Sequence, residues 1–391
     1  MNKQTKNYEN LVLTAPVTVP YQRFSHHDAT WFIGRALRQL LDKSNLQKTA
    51  IDGLAVSSFT LAPDTIASLT EQFDLSARWL EALPFGGASA VIAAKRAARA
   101  IQNGDATVVA CIGADTAQQG SFRNLAANFS RFSTNAVYPY GGAGPNAIFA
   151  MITRNYMDKF GVQAEDFGRI CVAQRKNALD NPNSLLRKPL SIEDYLSARY
   201  IAEPLRLFDC VMPCAGAEGF LVMTKDRAHQ LGLPYASLLA AEEYHNARTT
   251  EDIPIGGAWR VFKDDLYNAA NCGPKDMDFL QTYDDYPVIV MQQFEDLGFC
   301  EKGNAADFVR STDLSTIGNG LPHNTGGGQL SVGQAGFAGG FLGMVEAIRQ
   351  LTQQPLGRQV IKAEHGLVSG FGMVNYNKGL CAAAAILKKG T

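Results

Sequence analysis

Asn324-Thr325-Gly326-Gly327-Gly328-Gln329-Leu330-Ser331-Val332-Gly333-Gln334-Ala335-Gly336-Phe337-Ala338-Gly339-Gly340 is the stretch on which the fold turns. Seven of its seventeen residues are glycine, where about 7% is usual. An apolar helical pattern, Phe341 to Leu351, follows directly, so these glycines lead into a helix. Glycine admits positive φ and close approach of backbone to another group. A glycine turn at a helix N-terminus also leaves amide N–H groups pointing at whatever sits there. The stretch is either a ligand-facing turn or a tight strand-to-helix connection.

An earlier stretch follows the same plan. Gly86-Gly87-Ala88-Ser89 opens an alanine-rich helical run to Ile101, Asn103-Gly104 stops it, and Ala106 to Ile112 reads as a buried parallel strand. Gly336–Gly340, its helix and a strand at Gly366–Gly370 mirror that unit. Around the two units, strands are predicted at Leu11–Val19, Ile51–Phe59, Ala217–Thr224, Ser237–Ala241, Asp278–Tyr283 and Ala382–Leu387. Helices are predicted at Asp28–Leu41, Pro63–Phe73, Asp226–Leu231, Phe262–Asn271 and Val288–Leu297. The alternation implies an α/β fold with a parallel sheet and right-handed crossovers. A pseudo-twofold pairing would bury the two glycine-led helices side by side. Phe122 to Arg206, rich in aromatics, Asn and Pro, breaks the rhythm. With helices at Ala147–Phe160 and Ala164–Ala178, it reads as an insertion laid over a sheet edge.

The bulk numbers exclude several classes. The chain has 391 residues, 46% of them apolar and 19% charged, enough for two core-bearing units. A net charge of −1 gives no global field for nucleic acid or anionic membrane. No run of eighteen apolar residues exists to cross a bilayer, and Met1 to Asn10 lacks the apolar core of a signal peptide. Seven cysteines without a dense framework fit a reducing compartment, so a cytoplasmic location is expected. Cys210 and Cys214, the only close pair, read as buried thiols rather than a zinc site. There is no phosphate-loop motif and no Gly-x-Gly-x-x-Gly.

The chain resembles the thiolase superfamily, in particular the sterol-carrier-protein-type thiolases and their aldolase relatives. The resemblance runs from Leu11 to Leu387. It is carried by Ile51-Asp52-Gly53-Leu54, Gly86-Gly87-Ala88-Ser89 and Ile201-Ala202-Glu203-Pro204-Leu205. Phe294-Glu295-Asp296-Leu297-Gly298-Phe299-Cys300, Leu321-Pro322-His323-Asn324-Thr325 and Gly327-Gly328-Gln329-Leu330-Ser331 carry it further. It implies a thiolase fold: two pseudo-symmetric βαβαβαββ halves in five layers, αβαβα, with a covering insertion. The halves would be residues 9–235, including the insertion at about 117–206, and residues 236–391. It also implies binding of a coenzyme A thioester and chemistry at its α-carbon, with enolate charge on the thioester oxygen held by aimed donors. Gly87, Ser89, Gly327, Gly328, Gly333 and Gly370 are the expected contacts to that thioester. Ser89 has a second reading as a helix cap. The insertion, with Tyr138-Pro139-Tyr140-Gly141-Gly142-Ala143-Gly144, would cover the pantetheine tunnel. Arg187 and Lys188 are candidates for the phosphates.

The departures from the family pattern narrow the chemistry. A thiolase carries a nucleophilic Cys at the N-terminus of its first buried helix, and that position falls here on Gly87. The His of the family Gly-His-Pro motif falls on Gln334, and the second Cys falls near Val368 or Ser369. None of these can form or resolve an acyl-enzyme. The aldolase relatives also lack the nucleophile, since retro-aldol cleavage needs only a base for the β-hydroxyl and a proton for the enolate. Their tyrosine proton carriers correspond to Tyr283, in Thr282-Tyr283-Asp284-Asp285-Tyr286, and to Gln334, which can hydrogen-bond but not carry a proton. Asp284 or Asp285 would orient Tyr283 or replace it as the base. His323 is a candidate base at the mouth of the glycine turn, Asn324 would fix the turn or hold a water, and Cys300 reads as buried.

Three readings remain: an aldol or retro-aldol enzyme on a β-hydroxyacyl-CoA, an acyl-transferring thiolase, and a non-catalytic acyl-CoA-binding scaffold. The resemblance adds a homodimer and a small OB-fold, zinc-ribbon partner; no metal is expected in this chain.

Overall fold

The computed structural model describes residues 7–391 apart from Phe129 and Ala143. Ala143 of the second glycine stretch and Met1 to Lys6 therefore lie outside the described residues. In the first half, β1 (Leu11–Gln22) is followed by α1 (Ala29–Ser44), β2 (Gly53–Ser57), α2 (Ile66–Gln72), β3 (Trp79–Ala82), α3 (Ser89–Asn103) and β4 (Val109–Asp115). An insertion then supplies α4 (Ser121–Ala127), α5 (Arg131–Ala136), α6 (Gly144–Phe160), α7 (Ala164–Ala178) and α8 (Ile192–Ser197). It ends in a small hairpin, β5 (Tyr200–Ala202) and β6 (Leu205–Arg206), before β7 (Ala215–Thr224) and α9 (Lys225–Gln230). The second half runs β8 (Tyr235–His245), α10 (Trp259–Ala270), β9 (Phe279–Gln281), α11 (Pro287–Asp296), α12 (Ala305–Ser311) and α13 (Gly328–Val332). It closes with α14 (Gly339–Leu351), β10 (His365–Asn375) and β11 (Lys378–Lys389).

Local chemistry sets the helix ends. The Asp28 carboxylate accepts from the amide of Trp31 and starts α1, while Asn45, at φ 53°, ends it. Gly104, at φ 79°, ends α3 in the same left-handed conformation. The seventeen-residue glycine stretch is more structured than expected. It contains α13 and a 3₁₀ turn, Gly336–Ala338, and the turn feeds α14 just as Gly86–Ala88 feeds α3.

The sheet order is β3-β2-β4-β7-β1-β8-β11-β10-β9. It is mixed rather than all parallel: β2 lies parallel to β3 and β4, but β4–β7 and β7–β1 are antiparallel. The second half repeats this, with β8–β11 and β11–β10 antiparallel and β10–β9 parallel. The halves join where β1 meets β8, antiparallel, with Leu13 opposite Ala236. The counterpart of β3 in the second half is reduced to a single bridge between Leu280 and His323.

Three apolar clusters give the layering. One packs α1 on the outer face of the first half-sheet, through Phe32, Leu40, Leu54 and Ile112. The second holds α3 and α14 between the half-sheets, joining Ile92 and Phe341 to Phe220 of β7 and Phe279 of β9. The third covers the second half-sheet with α10 and α11 through Trp259, Phe262 and Phe294. The insertion joins this third cluster, with Phe149, Tyr156 and Ile170 among its buried members. Its α6 and α7 pack on α11 and α12 rather than over a sheet edge.

The middle layer is tight enough to exclude side chains. A Cβ on Gly340 would stand 2.8 Å from the carbonyl oxygen of Gly86 and 2.8 Å from Cα of Gly87. Helix propensity alone would make Gly340→Ala stabilising by up to about 1 kcal/mol. Backbone cannot swing aside as a side chain can, so we expect a net loss of roughly 1–3 kcal/mol, read as a lower Tm in thermal unfolding.

Candidate active site

The strand β9 ends at Gln281, and the chain then delivers Tyr283, Asp284, Asp285 and Tyr286 in one turn before α11. Tyr283 stands just beyond the strand rather than at its last residue. Its backbone is clamped by Gln293 of α11, whose Oε1 accepts from the Tyr283 amide at 3.1 Å and whose Nε2 donates to the Tyr283 carbonyl at 2.7 Å. Ser369 holds the same Gln293 Oε1 at 2.6 Å. This clamp lays the ring over Gly87: a Cβ there would be 2.0 Å from the ring. The space a side chain at position 87 would need is therefore filled by the tyrosine ring.

Gln334 completes the pair. Its amide donates to the Met212 carbonyl at 2.8 Å, and its carbonyl accepts from the Cys214 amide at 2.9 Å. So fixed, its Nε2 donates to the Tyr283 hydroxyl at 3.1 Å. A phenol has one hydrogen and two acceptor sites. With Gln334 on one acceptor site, the hydroxyl hydrogen can turn to a ligand in the cavity or to the Gln329 side chain beside it. Burial, then the charges of Asp285 and Asp284, push the Tyr283 pKa well above 10, so this group is a donor and not a resting base.

The two aspartates divide. The Asp284 carboxylate turns inward and accepts from the amides of Gln329 at 3.1 Å and Leu330 at 3.3 Å, capping α13. Burial still raises it to about 6. Asp285 instead lines the cavity, with Oδ1 enclosed and without a donor. The residue keeps partial exposure to the cavity. Burial and the neighbouring Asp284 charge push its pKa well above the ordinary carboxylate range. The structure thus brings Asp285, not Asp284, to the cavity. A chain leaving a strand alternates its side chains, and the sequence leaves open which of two adjacent carboxylates faces which way.

His323 is corrected outright. It is fully buried in the edge-strand position beside β9, and its Nε2 pairs with the Thr282 hydroxyl at 2.7 Å. Burial lowers its pKa to about 3, so it is a neutral structural group behind the site rather than a base at a loop mouth. Asn324 fixes the turn: it takes φ 45°, and its Oδ1 accepts from the Thr282 amide at 2.9 Å.

Of the six expected contacts, Gly87 borders the cavity, together with Gly86, Gly336 and Gly372. Gly327 and Gly333, at φ 108° and 116°, let the chain turn against Ala178 and Cys214. Gly328 leaves room for the Asp284 carboxylate, and Gly370 packs on the Gly87 carbonyl. Ser89 neither caps α3 nor reaches the cavity; its hydroxyl donates to the Leu83 carbonyl at 3.1 Å. Arg187 is spent on local carbonyls, Ser184 and Pro182. Cys300 is half-buried, with its pKa pushed up to about 12.

The cavity itself is apolar and aromatic, about 1240 Å³ counting its open mouth. Phe59 stacks on Phe337 at 3.4 Å, and Phe149 stacks on Tyr286 at 4.0 Å. The insertion closes one side with Leu125 of α4 and Pro145 and Asn146 of α6; the Tyr138–Gly142 stretch is not among the lining residues. Cys210 and Cys214 also reach the wall. Burial raises the Cys210 pKa to about 12 and that of Cys214 further, which keeps both as thiols. Asp115, unnoticed in the sequence, is the second carboxyl of the wall, raised to about 6 by burial. It ties the halves together: its Oδ1 accepts from Thr60 and Ser58, and its Oδ2 accepts from the amide of Phe337 at 2.6 Å. Its only sequence signal was the end of an apolar strand. Among the described residues no His, Cys, Asp and Glu cluster is arranged to hold a metal, and no helix is long and apolar enough to cross a membrane.

Comparison with known proteins places these features. The thiolase C-terminal domain-like family matches residues 241–388. A steroid side-chain-cleaving aldolase of Thermomonospora curvata is 32% identical over 78% of this chain and 81% of its own length. A 17-hydroxy-3-oxo-4-pregnene-20-carboxyl-CoA lyase of Mycobacterium tuberculosis is 31% identical over 85% of this chain and 89% of its own. The solved structure of the Ltp2-ChsH2(DUF35) aldolase superposes with a TM-score of 0.83 at 25% identity, over 97% of this chain and 98% of that one.

Two tests follow from this geometry. Gly87→Cys should destabilise the fold by driving a side chain into the Tyr283 ring, and Tyr283→Ala in the same chain should recover much of the loss, a non-additivity visible in unfolding of the two single variants and the double. His323, neutral when folded and with an ordinary value of 6.5 when unfolded, gives stability that is complete above pH 6.5 and is lost as pH falls towards about 3. Asp115 and Asp284, raised to about 6, slope the other way between their ordinary value and pH 6. The difference between wild type and His323→Gln should therefore carry the histidine slope alone, up to about 1.4 kcal/mol per pH unit.

Proposed function

The chain belongs to the thiolase superfamily, in its branch of thiolase-like aldolases, and we propose that it cleaves a β-hydroxyacyl-CoA by retro-aldol chemistry with Asp285 and Tyr283 as its proton carriers. The observation that supports this most is the convergence at Gly87. A side chain is excluded there, and Tyr283, with its hydroxyl held by Gln334, faces the same cavity as a carboxylate whose Oδ1 lacks a protein donor.

In this reading the acyl thioester lies in the aromatic cavity. Asp285 takes the proton of the β-hydroxyl, and the oxygen lone pair forms the new carbonyl as the Cα–Cβ bond breaks. Its raised pKa makes it a stronger base once ionised. The electron pair moves to the α-carbon and thioester oxygen as an enolate, and the Tyr283 hydroxyl, oriented by Gln334, delivers a proton to the α-carbon. The products are a carbonyl compound and a shortened acyl-CoA. Acyl transfer through a covalent intermediate finds no support here, since the space a side chain at position 87 would need is occupied by a ring and the nearby thiols stay protonated.

The relatives named for steroid side-chain cleavage and for a pregnene carboxyl-CoA suggest a rigid polycyclic acyl group, and the stacked aromatic walls suit one. The aldolase named with a DUF35 chain supports a small partner protein for this chain too. We extend the reading to an OB-fold, zinc-ribbon partner, a homodimer and a cytoplasmic location.

The test is incubation with panels of β-hydroxyacyl-CoA and β-ketoacyl-CoA, with and without a partner co-purified from the native source. Cleavage of hydroxyacyl thioesters to a carbonyl product is expected; thiol-dependent cleavage of ketoacyl thioesters alone would sink the proposal. Asp285→Asn and Tyr283→Phe should each lower kcat/KM by about 10²–10⁴. Because the ionised form of Asp285 acts, the rate should rise with pH through a limb above the ordinary carboxylate range. Asp284→Asn removes the adjacent charge and should move that limb to lower pH. An unmoved limb would show that Asp285 is not the base.

A further inference from the structure

The ring of Tyr283 is a partition. In front lies the aromatic cavity; behind it lies a polar one, reached by Thr18, Glu218, Asp284, Asn324, Gln329 and Arg349. Asn183 and Leu356, both partly exposed, are among the residues that line the rear cavity. Its polar groups exceed what the protein satisfies. Glu218 has no solvent exposure; its Oε2 accepts from the Thr18 hydroxyl at 2.7 Å, and the buried Tyr21 hydroxyl also hydrogen-bonds its carboxyl. Arg349 reaches that same Thr18 oxygen at 3.0 Å. Oε1 of Gln329 and Nδ2 of Asn183 are enclosed without partners. The Gln329 Nε2 donates to Asp284 at 3.3 Å, and the same amide lies alongside the Tyr283 hydroxyl. Buried polar atoms that converge on one cavity are the places where proteins hold ordered water.

The retro-aldol reading, on which this inference rests, leaves a proton imbalance inside the protein. One turnover leaves Asp285 protonated and Tyr283 as a phenolate. We propose that the rear cavity is a hydrated proton path and that Glu218 holds the proton with which Tyr283 is reloaded between turnovers, through water and the Asp284 carboxyl. One proton passes from Glu218 to Tyr283 from behind, Glu218 takes one back from water in the rear cavity, and Asp285 releases one through the front mouth, so the substrate loses a proton from oxygen, gains one on carbon, and the enzyme is restored. Burial raises the Glu218 pKa to about 8, against the opposing charge of Arg349, which suits a group that keeps its proton at neutral pH. Glu218 does not touch the substrate; it acts through Tyr283.

The test uses Glu218→Gln, which keeps the shape and the Thr18 contact, and Leu356→Trp, which narrows the rear cavity without removing a hydrogen bond. With excess β-hydroxyacyl-CoA in a rapid-quench experiment, both variants should release the first equivalent of carbonyl product per site at the wild-type rate. Later turnovers should slow by about tenfold, less than the roughly 10²–10⁴ cost of losing a direct proton donor. Exchange of the α-hydrogen of the product acyl-CoA into D₂O, which needs no C–C cleavage, should slow by a similar factor. Wild-type steady-state and exchange rates in both variants would overturn the path and leave the aldolase reading intact. A first turnover slowed as much as the later ones would make Glu218 a structural residue and overturn it too. If the wild type cleaves no hydroxyacyl-CoA, the aldolase reading fails, and the exchange assay still decides the path.

Discussion

Main chain presses on main chain where the two halves meet. Cβ atoms added to Gly340, Gly370 or Gly372 would stand 2.8, 2.5 and 1.9 Å from the carbonyl oxygens of Gly86, Gly87 and Phe85. Two elements of the second half, α14 and β10, thus bear on a single turn of the first. Such contact is open only to glycine, and it is what draws α3 and α14 into one buried layer. It also fixes the Phe85–Ala88 backbone under the Tyr283 ring. The chemistry available at the site follows from that spacing: a residue with a side chain at position 87 would have to displace the ring.

Charge separation within the site comes from hydrogen bonding more than from distance. Asp284 and Asp285 are neighbours in sequence, the first buried and the second part-exposed to the cavity, but α13 supplies amide donors to one and none reach the free oxygen of the other. Burial alone would raise both; the donors hold Asp284 near 6, and its charge then pushes Asp285 higher. Two like groups with different partners are how proton-transfer roles are divided in a small space. The short helix inside the glycine stretch therefore matters chemically, because its first amides are what tether Asp284.

Much of this was legible in the sequence, and what was not has particular causes. The glycine-led helices, the repeat and most strands announced themselves through periodicity. The mixed sheet did not, because apolar runs such as Ala217–Thr224 look the same whichever way their neighbours run. The strand β3, Trp79–Ala82, is a four-residue edge with alternating exposure and no apolar run. His323 read as loop polarity because a single-bridge strand has too little length for any pattern. The Tyr283–Gln334 pair was visible through the resemblance to the thiolase superfamily. The choice between Asp284 and Asp285, and the part played by Asp115, depended on contacts more than forty residues away in sequence.

The unequal ends of the sheet limit how the molecule can grow. At one end, β9 is fully buried and already bonded on its outer side through Pro322 and Asn324. At the other, β3 has a neighbour on one side only and keeps Leu80 and Ala82 in solvent. A sheet open at both edges can propagate without end, whereas one open at a single edge is a terminator. Should two copies meet there by strand pairing, the junction would consume the last free edge of each, so assembly through the sheet closes at a pair and cannot run on into a fibre.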